Sequence, residues 1–259
     1  MKRYSLAATI FAILLMTGGY FFVQWVQEKT LEGPDAPEAV DLDELIPDDE
    51  PELEEKELPQ VNPESSAPPP ETLNIAMPFY TQAPYSNWDY PWQEACEEAS
   101  VLLVANEFKN MNLNREQYNA ELLRLVDWEM EIFGAYEHTD VDQTQKMMEE
   151  NYGLTTKIVE NPSFEDMQEI LAKGHLILAP MAGKVLENPN FLNGGPDYHM
   201  IVIKGYDRTK NQVVTHDVGT RNGEDYVYTW DVIHAALHDF NATNPLLGAP
   251  RIIEVLPPQ

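Results

Sequence analysis

Cysteine occurs once in 259 residues, at Cys96. That excludes an intramolecular disulfide and leaves the thiol as an intermolecular link, a bystander or a reactive group. Cationic side chains are also scarce. Sixteen Lys and Arg face 44 Asp and Glu, for a formal charge of −28. So acidic a chain lacks the basic surface with which nucleic acid is bound by counterion release. It is equally unsuited to anionic lipid headgroups. No internal repeat is present. Apolar residues are not scarce: at 43% they are near the globular average, so a real core can form.

The charge is unevenly spread. Met1-Lys2-Arg3 precede an apolar run from about Leu6 to Val26. A run of roughly 20 residues is enough to cross about 30 Å of hydrocarbon as a helix. It ends in the bulky stretch Tyr20-Phe21-Phe22-Val23-Gln24-Trp25-Val26 rather than in a small-residue cleavage site. There is no cysteine near it for lipid attachment. Residues 1–27 therefore read as a signal anchor, a single transmembrane helix. The basic start and acidic flank put the N-terminus in the cytoplasm and the rest outside the cell membrane. Residues 28–73 are acidic and proline-rich, with Asp48-Asp49-Glu50-Pro51-Glu52 and Ala67-Pro68-Pro69-Pro70. Few apolar groups there could offset the entropy of ordering, so a disordered linker is expected. At about 3.1 Å per residue its reach is bounded at roughly 140 Å. The acidic cluster lacks the regular ligand spacing around a glycine that a calcium loop needs.

The folded domain is expected over 74–259. Ile75 to Tyr80 reads as an entering extended segment, followed by the tryptophan-rich loop Asn87 to Trp92. Helical periodicity fits Glu94–Phe108, with Ala95, Ala99, Leu102, Leu103 and Phe108 as its packed surface. Further helices fit Arg115–Trp128 and Val141–Glu150. Ser163 with Asp166 three residues on reads as a capping box opening a short helix to Ala172. After Lys173-Gly174 the period changes. Strands fit residues 176–180, 200–206, 212–215, 225–228 and 252–256. Helices first and strands afterwards imply an α+β domain with a mostly antiparallel sheet.

Cys96 falls at the start of the first helix, where unpaired backbone N–H groups and the positive dipole end favour thiolate. Glu97 and Glu98 oppose it, so a strong positive partner is required. His199 is the best candidate, at the mouth of a strand. If that strand and the next form a hairpin centred near Arg208, position 199 falls opposite position 217. Opposite residues share a face, so an imidazole and a carboxylate would meet. Asp217 would then orient the ring and stabilise its cation. A slip of one residue would substitute His216 or Val218.

Taken together, Met77-Pro78-Phe79-Tyr80-Thr81-Gln82, Cys96 opening a helix, His199 to Asp207, and His216-Asp217 resemble the papain-like cysteine peptidases of family 39. That family includes the bacteriocin-processing double-glycine peptidases. The resemblance spans about Asn74 to Leu256. It implies a papain-like fold, with Cys96 as nucleophile, His199 as general base and Asp217 as the residue that orients the histidine. It also implies an oxyanion glutamine. Gln82 matches the motif but lies far upstream, and Gln93 is nearer but closely spaced. Relatives commonly carry glycine where this chain has Glu97.

His234 and His238 are four apart on an expected helix, Trp230–Phe240, and so could share a face. The glutamate of helical zinc-protease motifs is Ala235 here. No metal and no cofactor are expected. The expected activity is hydrolysis of peptide or amide bonds in an unidentified peptide or protein, outside the membrane. A non-catalytic peptide or cell-wall binding module, or a thiol acyltransferase or amidase, could use the same fold.

Overall fold

A computed structural model describes residues 34–45 and 69–258. The apolar run read as a membrane anchor, and residues 28–33 and 46–68 of the linker, lie outside the described residues. Among those described, no helix is long and apolar enough to cross a membrane. All of them except Pro34 belong to one unit, Asp35–Gln259.

The order of elements is β1 (Thr72–Asn74), α1 (Cys96–Phe108), α2 (Arg115–Ile132), α3 (Val141–Tyr152), β2 (Thr155–Glu160) and α4 (Phe164–Ala172). It continues with β3 (Leu176–Met181), β4 (His199–Asp207), β5 (Gln212–His216), β6 (Tyr226–Thr229), α5 (Trp230–Ala236) and β7 (Arg251–Leu256). The strands form one antiparallel sheet in the order β2-β7-β3-β4-β5-β6. β1 pairs with the last residues of β4, Gly205 to Asp207, which β3 does not reach. The expected α+β class holds. Local capping sets the helix starts. Asn114 with Gln117, Asp140 with Gln143 and Ser163 with Asp166 each form a reciprocal capping box.

α1 departs from its sequence reading in a way that matters for the site. The apolar spacing suggests one packed face, yet twelve of its thirteen residues are buried. β4 covers one side, and α2 and α3 cover others. Most polar side chains of a helix enclosed in this way find their partners inside the protein. Ser100 Oγ donates to the Met200 carbonyl at 3.2 Å. Asn106 Oδ1 accepts from Leu113 N–H at 3.0 Å.

Part of the expected linker is also ordered against the domain. Val40 bridges Ile75 in parallel. Its N–H donates to the Asn74 carbonyl, and Ala76 N–H donates to its own carbonyl. Val40, Leu42 and Leu45 pack on the core. Mean composition hides these three apolar residues among acidic ones.

The β4–β5 hairpin carries a bulge between Ile203 and Gly205. Lys204 stands at it, 1% exposed. Its Nζ donates to Asn74 Oδ1 at 2.5 Å and to the Asp225 carboxylate. Asn74 Nδ2 in turn donates to the Pro37 carbonyl at 2.9 Å, tying the 35–45 segment to the sheet. Lys204→Met should therefore cost about 3 kcal/mol, near the lower end for breaking a buried ion pair because Asp225 is partly exposed. Urea denaturation checks this, and a loss below about 0.5 kcal/mol would remove the pair from the stability of the sheet.

Candidate active site

The helix expected from Glu94 begins at Cys96, two residues later, after a short 3-10 turn over Trp92–Glu94. Ala95 occupies its N-cap with no side-chain cap, so the first-turn N–H groups have no capping oxygen. Cys96 is 6% exposed and lines a cavity of about 540 Å³. His199, the first residue of β4, lines the same cavity. Trp88, Phe191, Leu192 and Pro196 contribute its apolar surface, and Arg221 is its cationic lining residue.

His199 and Asp217 meet, though not by the route the sequence suggests. At the turn end Tyr206 pairs with Val213. That register, continued unbroken, would put Thr220 opposite His199 and Asp217 on the other face. The bulge shifts the ladder by one, so that Val202 pairs with His216. Its continuation sets Gly219 opposite His199 and brings Asp217, two residues away, to the same face. The direct opposition expected from sequence is replaced by a diagonal one, which is still within reach of long side chains.

The ring of His199 is held on several sides. Nε2 donates to Asp217 Oδ1 at 2.8 Å, the tautomer an ionised carboxylate requires. Phe191 meets it edge-on at 5.4 Å. Gly219 lies so close that an added Cβ would sit 2.8 Å from Cε1. Nδ1 is thus the nitrogen left for proton exchange.

Asp217 accepts three further hydrogen bonds: Gly219 N–H at 3.1 Å on Oδ1, and Tyr228 OH at 2.6 Å and Asn188 Nδ2 at 3.1 Å on Oδ2. Burial alone would raise its pKa. The His199 charge and the bonds from His199, Tyr228 and Gly219 outweigh burial and hold the carboxyl below the usual carboxylate range. Sequence reasoning missed Asn188 and Tyr228. Asn188 lies 29 residues before Asp217 and Tyr228 lies 11 after it on another strand, and no spacing rule links them to position 217.

His216 points to the other face of β5. It packs 5.0 Å from Phe79, with Nε2 donating to the Met77 carbonyl at 3.2 Å. Burial, with help from the nearby Lys204 charge, lowers its pKa to about 4, so it is neutral at pH 7.

The thiol does not hydrogen-bond to His199. Sγ lies 2.9 Å from Glu97 Oε2 and donates to it. Burial, then the Glu97 charge and this bond, push the Cys96 pKa well up. The backbone of Met200, next to His199, acts on the sulfur in the opposite sense. Beneath lie Glu98 and Glu129, both fully buried. None of their four carboxyl oxygens has a partner among the described residues.

The two glutamines are placed differently. Gln82 Nε2 donates to the carbonyls of Trp92 at 2.9 Å and Gln93 at 3.0 Å. Both of its amide hydrogens are thus committed to the turn before Cys96. Gln93 is exposed in the cavity wall, and its Nε2 donates to Glu94 Oε1 at 3.1 Å, leaving one hydrogen free.

The paired histidines do not form a site. α5 stops at Ala236, four residues before the expected end, because Leu237 turns out to bridge Met181. His238 bonds the Gly248 carbonyl at 2.9 Å, while His234 packs on Trp230. Among the described residues no cluster of three or more His, Cys, Asp or Glu could hold a metal.

A thiol at a helix start and a histidine held by a buried carboxylate, with thiol and ring lining one cavity on an antiparallel α+β scaffold, are the layout of a cysteine peptidase-like domain. The chain belongs to the Peptidase_C39 like family, whose model matches residues 74–244. No curated protein matches it. Among solved structures it is similar to a C39-like peptidase from Bacillus anthracis, at 12% identity and a TM-score of 0.46, covering 70% of this chain and 94% of that one. It is also similar to xylellain, a cysteine protease from Xylella fastidiosa, at 14% identity and a TM-score of 0.36, covering 73% and 87%.

Proposed function

We propose that this protein is a thiol hydrolase that cleaves peptide or amide bonds, with Cys96 as nucleophile, His199 as general base and Asp217 as its orienting partner. The observation that carries the reading is the His199–Asp217 bond in the cavity that Cys96 lines. Cys96 attacks the carbonyl carbon as its proton passes to His199 Nδ1, and that proton later goes to the leaving amine. The Cys96 N–H has no partner among the described residues and is available to the developing oxyanion. Gln93, with a free amide hydrogen, is the second donor, and Gln82 holds the turn that carries it. The apolar run before the linker would anchor the domain outside the cell membrane.

A thiol-directed acyl probe tests the nucleophile. The wild-type protein should be labelled and Cys96→Ala should not. Equal labelling would sink the assignment. One observation favours a second reading, a peptide-binding module without turnover: the thiol bonds Glu97 rather than His199. A screen that finds Cys96-dependent product release removes it.

Gly219→Ala probes the ring position. The new Cβ would also sit 3.1 Å from Phe191 Cε1, so the ring, pinned at Nε2, has little room to yield. We expect kcat/KM to fall about 10- to 100-fold, since small misplacements of catalytic groups have effects of that order. The melting temperature should fall by a few degrees, since overpacking of this kind costs about 1 to 3 kcal/mol, and unchanged turnover would show that the ring is free to move.

A further inference from the structure

The Cys96–Glu97 contact does more than disfavour a thiolate. Both oxygens of Glu97 are engaged: Oε2 by the thiol at 2.9 Å and Oε1 by Thr139 N–H at 3.0 Å. The Thr139 carbonyl accepts from Tyr198 OH at 2.9 Å, and Tyr198 adjoins His199. The carboxylate is therefore held on both oxygens, by its own helix and by a loop that Tyr198 ties down, and it is fully buried. The ionisable groups facing it are Cys96 and Glu98 on α1, Glu129 from α2, and Tyr198 and His199 at the start of β4. Of these only His199 can become a cation.

We propose that Glu97 is a positioning residue that holds the Cys96 side chain through its S–H and keeps it a thiol until substrate binds. This rests on the reading of Cys96 as nucleophile and specifies how that nucleophile is used. The sulfur enters the reaction protonated. As the S–C bond forms, the proton leaves for His199 Nδ1 and the carbonyl π pair moves onto oxygen. Base catalysis in the step itself replaces a preformed thiolate–imidazolium pair. Burial raises Glu97 to about 7, so above neutrality it is mostly the carboxylate that holds the thiol.

The test is the pH profile of iodoacetamide alkylation, followed by intact mass on the full chain. Because Cys96 is the only cysteine, the label reports one site. Glu97→Gln should lower the alkylation midpoint by about one pH unit, or speed the reaction about tenfold at pH 8. Glu97→Asp, which keeps the charge, should retain the high midpoint. A merely structural role would lower the melting temperature of both variants without moving the midpoint. An unmoved midpoint, or a slower reaction in Glu97→Gln, overturns the proposal. If Glu97→Gln does not fold, Glu97→Ala takes its place under the same two outcomes, and a wild-type midpoint below the ordinary cysteine value of about 8.5 overturns the proposal in either case. The readout needs no peptide cleavage, so loss of the peptidase reading would appear separately, in the acyl-probe and turnover assays.

Discussion

Asp217→Asn should lower kcat/KM for peptide hydrolysis by about 10²- to 10⁴-fold while leaving the fold intact. The reason lies in the proton positions. Oδ1 of Asp217 now accepts from His199 Nε2–H and from Gly219 N–H, and Oδ2 accepts from Tyr228 and Asn188. With the hydroxyl and the Asn188 amide still donating, an asparagine would keep its carbonyl oxygen toward them and turn its NH₂ to the ring. Nε2 would then have to accept, the ring would carry its hydrogen on Nδ1, and Nδ1 could no longer take the proton of Cys96. The variant would retain most of the hydrogen-bond framework but hold the wrong tautomer. Because the carboxyl is held below the usual carboxylate range, its own titration should not set the acid limb of the activity profile near neutral pH. Near-normal turnover in Asp217→Asn would remove Asp217 from the mechanism, whatever its contribution to folding.

A second large effect is expected from Glu129. Burial, then the charges of Glu98 and Glu97, push its pKa up to about 11. Burial, then Glu97, likewise raises Glu98 well above its ordinary value. In the unfolded chain both ionise near about 4.3. The folded state therefore keeps protons that the unfolded state has released. The stability tied to them is fully present below the unfolded value and is lost as pH rises toward the folded values. Each carboxyl that stays protonated gives a slope of about 1.4 kcal/mol per pH unit. Stability should accordingly fall as pH rises from about 6.5 to about 9, a range above the unfolded pKa of either glutamate. His216 acts in the opposite sense but lower down. Its folded pKa is depressed to about 4, so its contribution is lost only as pH falls below its unfolded value of about 6.5. Glu129→Gln should be more stable than the wild type throughout that range, with roughly half the slope, since Glu98 remains. Chemical denaturation at several pH values gives the answer. A slope unchanged by the substitution would mean that Glu129 is ionised in the folded protein.

Local rules read much of this chain. Ser163 with Asp166 opens α4 as its spacing requires, and Cys96 opens α1 after the loop that carries the tryptophans. The strands of the C-terminal half follow from short β-rich runs. β2 escaped because it is an edge strand with no fully buried residue and charges at Lys157 and Glu160. The early end of α5 was equally hidden, because a bridge from Leu237 to Met181, far away in sequence, competes with one more helical turn.

A lone thiol at a helix start, a histidine opening a strand and an aspartate after the next strand are all legible in the residues alone. These are consequences of capping, periodicity and spacing, which act over a few residues. The tertiary structure decided which of them meet and in what state. The bulge at Lys204, stabilised by Asn74 and Asp225 from outside the hairpin, puts Asp217 rather than His216 on the face of His199. Enclosure of α1 by β4, α2 and α3 turns Glu97 from a solvated first-turn acid into a buried hydrogen-bond acceptor for the Cys96 thiol. Burial and register depend on contacts between segments that are distant in the chain. No spacing within one segment encodes them.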